Sequence, residues 1–149
     1  MLTRYEKLSV GVSEITRLLH KISYAEMRRF GLRGAWAKYL LMLYKHKSGL
    51  TAAKICELCG RNKADVSRSL AELEERGIIE KAGKGNYRVK LRLTEQGCEI
   101  AKKVNQTAKR AIEFVGKDIT AEERDVFYRA LDSIVNNLEV LAKEGLAEI

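Results

Sequence analysis

Thr51-Ala52-Ala53-Lys54-Ile55-Cys56-Glu57-Leu58-Cys59-Gly60-Arg61-Asn62-Lys63-Ala64-Asp65-Val66-Ser67-Arg68, with the residues that follow it to Leu93, decides the fold. Thr51 is a good helix N-cap, and Ile55, Cys56 and Cys59 make the apolar stripe of a short helix. Gly60 can take the positive φ that ends a helix, and Asn62 can cap the next one. That next helix is expected from about Lys63 to Arg76, stopping at Gly77, with a core stripe of Val66, Leu70 and Leu73. Its other face carries Lys63, Ala64, Ser67 and Arg68, small or polar residues that can enter a major groove about 12 Å wide. Asp65 is expected to cap the first turn in preference to accepting from a cytosine.

A hairpin follows. Ile78 to Lys81 reads as a strand, Gly83-Lys84-Gly85-Asn86 as a turn, and Tyr87 to Leu93 as the return strand. Val89, Leu91 and Leu93 alternate with Arg88, Lys90 and Arg92. From Lys81 through Arg92 stand five basic residues and no acid. A solvated strand mixes signs, so phosphate contact is the economical reading. Helix, turn, helix and basic hairpin in this order are the plan of a winged helix-turn-helix.

Outward from this reader the chain is helical. Thr3-Arg4-Tyr5-Glu6 is a capping box that opens a helix from about Arg4 to Arg29, ending near Gly31. Its seam of Tyr5, Leu8, Val12, Ile15, Leu19 and Ile22 is spaced 3, 4, 3, 4, 3. Leu32 to Lys47 reads as a second helix with Trp36, Tyr39, Leu40, Leu43 and Tyr44 on its apolar face. Thr94 caps a long helix from Glu95 to Val115, with Ile100, Ala101, Val104, Ala108, Ala111, Ile112 and Val115 as its stripe. Thr120-Ala121-Glu122-Glu123 is a second capping box. It opens a last helix with Phe127, Leu131, Ile134, Leu138 and Leu141 at heptad-like spacing, fraying near Gly145. The expected fold is mostly α, in the order α-α-α-α-β-β-α-α. Residues 1–30 and 95–149 form a helical dimerisation region around a reader at 32–93. Two apolar seams exceed what one small winged helix can cover, which points to a homodimer on an imperfect palindrome; the alternative is a monomer whose terminal helices pack on each other.

Gly49-Leu50-Thr51, Val66-Ser67-Arg68, Leu73-Glu74-Glu75-Arg76-Gly77-Ile78-Ile79 and Leu93-Thr94-Glu95-Gln96-Gly97 together resemble the signatures of the MarR family of bacterial transcription regulators. The resemblance extends over nearly the whole chain. It implies a dimer that binds a pseudo-palindromic operator, most commonly as a repressor, and responds to a ligand. The family's wing tip carries Asp-x-Arg, whose arginine enters the minor groove. Here the tip is Gly83-Lys84-Gly85-Asn86-Tyr87-Arg88, with Tyr87 in the arginine slot and Arg88 one place later. The DNA-contacting set is therefore Asn62, Lys63, Ala64, Ser67, Arg68, Lys84, Arg88, Lys90 and Arg92, with Arg68 the best base reader and the wing residues on phosphates. The resemblance also implies an effector pocket where aromatic residues gather. Tyr24 and Trp36 would line it, with Arg17 and His20 contacting a small anionic or aromatic ligand; the alternative is an aromatic-rich core.

Charge agrees with this division. Residues 1–92 hold 20 Lys+Arg against 9 Asp+Glu, while residues 93–149 hold 8 against 11. No signal peptide is legible, the densest apolar run (Tyr39 to Tyr44) is too short to span a membrane, and three cysteines do not suit a secreted disulfide scaffold. Cytoplasm is the expected setting. Cys56-Glu57-Leu58-Cys59 is a CxxC, and Cys98 stands near another helix start; thiol or metal sensing competes here with core packing, and core packing is expected. Some members of the resembled family sense oxidants through a cysteine in the first helix, but this chain has none before Cys56. There is no phosphate loop, no nucleophile elbow, no HExxH and no Ser/His/Asp set, so neither enzymatic activity nor a cofactor is expected. A competing reading is a winged-helix protein-interaction module whose basic face meets an acidic partner.

Overall fold

The computed structural model describes residues 3–83, 85 and 88–146. The chain divides into two units, residues 1–108 and 109–149. Helix α1 spans Arg4–Arg29, α2 Ala37–Lys45, α3 Ala52–Cys59, α4 Lys63–Glu75, α5 Glu95–Val115 and α6 Ala121–Glu144. Strands β1 (Leu50–Thr51), β2 (Ile79–Ala82) and β3 (Lys90–Leu93) pair antiparallel in the order β1-β3-β2. The mostly helical winged-helix fold expected from the sequence is thus present.

The apolar core lies wholly in the first unit. Every buried apolar side chain among the described residues falls between Met27 and Val104. Trp36, Tyr39, Leu40 and Leu43 meet Ile55 and Cys59 of α3, Val66, Leu70 and Leu73 of α4, and Ile78, Ile79, Leu91 and Leu93 of the hairpin. The α5 stripe joins this core only through its N-terminal half, where Ala101 and Val104 are buried. Further on, Ile112 and Val115 are exposed. In the second unit α6 has no buried residue, and Val126, Phe127, Tyr128, Val135 and Leu138 face outward. The α1 seam from Tyr5 to Ile22 is likewise exposed, and Met27 is that helix's one buried residue.

The boundaries of three expected elements are corrected. The second helix does not begin at Leu32: Gly34–Trp36 form a 3-10 turn, and α2 proper runs from Ala37 and ends at Lys45. The return strand begins at Lys90. Val89 precedes the ladder and Arg88 has φ 50, a left-handed conformation that extended pairing excludes; Tyr87, its expected start, lies outside the described residues. Strand β2 also starts one residue later than expected, at Ile79. Sequence reading missed β1, because two residues that end on a helix cap carry no alternation of their own; their pairing with Lys90 and Leu91 makes the strand.

Two signature segments are joined directly. The Thr94 hydroxyl accepts from the Gly97 amide at 3.0 Å, capping α5, and donates to the Gly77 carbonyl at 2.6 Å. Gly97 is required there because a Cβ would collide with the Ile78 carbonyl.

Candidate nucleic-acid interface

The elbow between α3 and α4 is built from local hydrogen bonds. The Thr51 hydroxyl accepts from the Lys54 amide at 3.1 Å and starts α3. Gly60 ends it at φ 59, ψ 29, and its amide returns to the Cys56 carbonyl at 3.1 Å. A Cβ on Gly60 would meet open space, so glycine is favoured there for its conformation alone. The Asn62 side chain then accepts from the Ala64 amide at 2.8 Å and opens α4. Lys38 of α2 donates to the Cys59 carbonyl at 3.2 Å, placing a cation on the negative end of α3. No local pattern could have shown this contact, since its partners lie 21 residues apart.

Helix α4 is held by Val66, Leu70 and Leu73, all buried. Asn62, Lys63, Ala64, Ser67 and Arg68 are all exposed at its start and along its outer face. A groove of about 380 Å³ opens between α3 and α4, lined in part by Ala53, Cys56, Lys63 and Ser67. Asp65 does not cap α4: Asn62 takes that role, and the Asp65 carboxylate instead pairs with Arg68 one turn on. The acid still sits in the first turn, where the helix dipole favours it, and it orients the Arg68 guanidinium along the outer face.

The hairpin places Lys90 and Arg92 on its exposed side, opposite in sense to Leu91 and Leu93. Arg92 is not a free phosphate ligand. Register sets Glu80 directly across from it, and the two pair at 2.9 Å. A window opened at Lys81 misses this acid; cross-strand geometry brings it in. Arg88 is exposed beside the turn. Lys84, Asn86 and Tyr87 lie outside the described residues, so the Lys84 site and the wing-tip substitution at Tyr87 do too.

The expected effector residues differ in exposure. Arg17 is bound to Glu14 at 2.6 Å on the α1 surface. His20 and Tyr24 are exposed on α1. Trp36 is fully buried beneath Arg33 and Arg76, so both its body and its faces are taken up within the chain. Of the cysteines, Cys59 is buried and burial pushes its thiol up, which keeps it a neutral apolar side chain. Cys56 is half-buried, with its thiol 3.2 Å from the Arg61 carbonyl, and Cys98 is exposed. No group of three or more His, Cys, Asp or Glu residues able to hold a metal forms among the described residues.

Residues 30–85, which hold three of the four signatures, match the sequence model of the MarR family, in agreement with the resemblance. A MarR family transcriptional regulator from Listeria monocytogenes, solved with a 26mer DNA, is 21% identical with a TM-score of 0.80 over 97% of each chain. MepR of S. aureus, also solved with DNA, is 19% identical with a TM-score of 0.81, over 91% of this chain and 99% of that one. A MarR/EmrR family regulator from Acinetobacter sp. ADP1 is 22% identical with a TM-score of 0.78, over 93% and 99%. No curated protein sequence matches. At these identities the structural likeness is one of fold.

Proposed function

We propose that this chain, which carries the MarR fold, is a duplex-DNA-binding transcription regulator acting as a homodimer, without catalytic activity. The observation that carries this reading is the outer face of α4. Lys63, Ala64, Ser67 and Arg68 stand exposed over a fully buried stripe, on a helix fixed at its start by the Gly60–Asn62 elbow. In this reading α4 enters the major groove, Arg68 reads a guanine edge, and Lys63 and Ser67 contact bases or backbone. Lys90, Arg88, Lys84 and, in competition with Glu80, Arg92 meet phosphates. Two structures of the same fold hold DNA, which supports the assignment.

Homodimerisation through α1, α6 and part of α5 is supported by their exposed apolar side chains. Aqueous exposure of so many is costly unless a second copy covers them. The two readers would then address half-sites about 34 Å apart. The finer reading is a repressor, released when a small anionic or aromatic effector shifts the dimer between two conformations; Arg17, His20 and Tyr24 on α1 are its candidate contacts. The cytoplasm is the proposed setting. Among the described residues no helix is long and apolar enough to cross a membrane.

The test is fluorescence anisotropy on a duplex from the gene's own upstream region, beside a shuffled duplex, across salt concentrations. A preference on the order of a thousandfold at physiological salt establishes specific recognition. Equal, steeply salt-dependent binding to both duplexes would leave only charge attraction. No binding at low salt would remove the assignment and favour a protein partner.

A further inference from the structure

We infer that Arg76, with Arg33, locks the segment Gly31–Trp36 so that it fixes the position of α4 relative to α1, which makes Arg76 a positioning residue for the reader. The inference rests on the reading of α4 as the DNA reader and of α1 as part of a dimer interface. Four contacts meet at this joint. The Arg76 guanidinium lies 5.0 Å from the Trp36 ring centroid, and that of Arg33 lies 5.6 Å from it. Arg76 also donates to the Gly31 carbonyl at 3.1 Å, 45 residues away in sequence. Arg33 pairs with Glu72, one turn before Arg76, at 3.0 Å. The last turn of α4 is thereby tied twice to the connection between α1 and α2.

The other side of the joint is equally close. A Cβ on Gly34 would run into the Tyr24 ring and stand 2.7 Å from the Tyr24 Cα, so α1 lies directly against the 3-10 turn. Met27, one turn on, is anchored in the core. A tilt of α1 therefore cannot be absorbed in a slack loop; it is passed through Trp36 to the end of α4. Arg76 and Arg33 are exposed and add little to the core, which suits a role in placing one element against another.

The test uses the full chain and an operator selected from a random duplex library by the unaltered protein. Four duplexes are compared: that operator, the operator with one base pair added between half-sites, the operator with one removed, and a single half-site. One base pair displaces a half-site by about 3.4 Å and turns it about the duplex axis. The unaltered protein is expected to favour the selected spacing on the order of tenfold, while Arg76→Met and Gly34→Ala bring that preference within about threefold and hold half-site affinity within about twofold. The first variant keeps an apolar stem over Trp36; the second displaces α1 with no change of charge. Unchanged spacing preference in both variants would overturn the inference, as would an equal loss on the half-site and the full operator. If the unaltered protein selects no operator at all, the DNA-reading assignment fails, and the positioning role fails with it.

Discussion

Arg68 and Arg92 carry the same charge in different circumstances. Arg68 is oriented along the outer face of α4 by Asp65, a pairing between exposed groups that adds little stability but restrains the guanidinium. Arg68→Ala is expected to lower affinity for the preferred duplex by about 1–3 kcal/mol while changing shuffled-duplex affinity much less, as read by anisotropy. Arg92 shares its charge with Glu80. Glu80→Gln should therefore strengthen binding to all duplexes and steepen the slope of log affinity against log salt by up to about one. A slope that stays the same would mean that Arg92 faces no phosphate. At Tyr39 the issue is stability. Its hydroxyl is buried, with Ser69 near it only as a weak hydrogen-bond partner, and burial pushes its pKa up. Tyr39→Phe removes a poorly satisfied group, so denaturant unfolding should show a protein unchanged or up to about 1 kcal/mol more stable. A clear loss would mean that Ser69 satisfies the hydroxyl.

The helices were legible because their determinants are local. Both capping boxes form: Thr3 with Glu6 on α1, and Thr120 with Glu123 on α6. In each, hydrogen bonds to the threonine hold the glutamate below its usual 4.5. A carboxylate whose folded pKa is depressed stabilises above its unfolded pKa, and that contribution is lost as pH falls through the folded value. Protection factors (exchange corrected for its intrinsic pH dependence) at the first turns of α1 and α6 should accordingly fall below about pH 4.5, before those of the core at Leu40 and Leu73. Simultaneous exposure of caps and core would count against local fraying. The elements that sequence reading misplaced depend on distant partners. Strand β1 exists through its pairing with β3, and the start of α2 is set by a 3-10 turn packed on α1.

For the molecule as a whole, α6 is the sharpest anomaly: a 24-residue helix with no buried side chain. Its apolar residues and the α1 seam need a partner surface, and a second copy is the proposed one. Leu19→Glu on α1 and Leu138→Glu on α6 are each expected to shift sedimentation toward the monomer and to reduce operator affinity far more than half-site affinity. A monomeric unaltered protein would defeat the dimer proposal. Charge is divided along the chain as well. The basic excess lies in residues 1–92, which hold the reader, and the acidic excess lies after it in the sequence.

The sequence by itself determined helices α1, α3, α5 and α6 with their threonine caps, the Gly60 elbow and the buried and exposed faces of α4. Each follows from residues within one or two turns of one another, where spacing and side-chain type suffice. Four signatures in order also identified the fold, and with it the outward set of Lys63, Ala64, Ser67 and Arg68. Tertiary structure alone decided that Glu80 offsets Arg92, that Lys38 closes α3, and that Trp36 is buried with Arg76 over its ring. The Glu80–Arg92, Lys38–Cys59 and Trp36–Arg76 contacts join residues 12, 21 and 40 positions apart. Their geometry comes from strand register and helix packing, which no local pattern encodes.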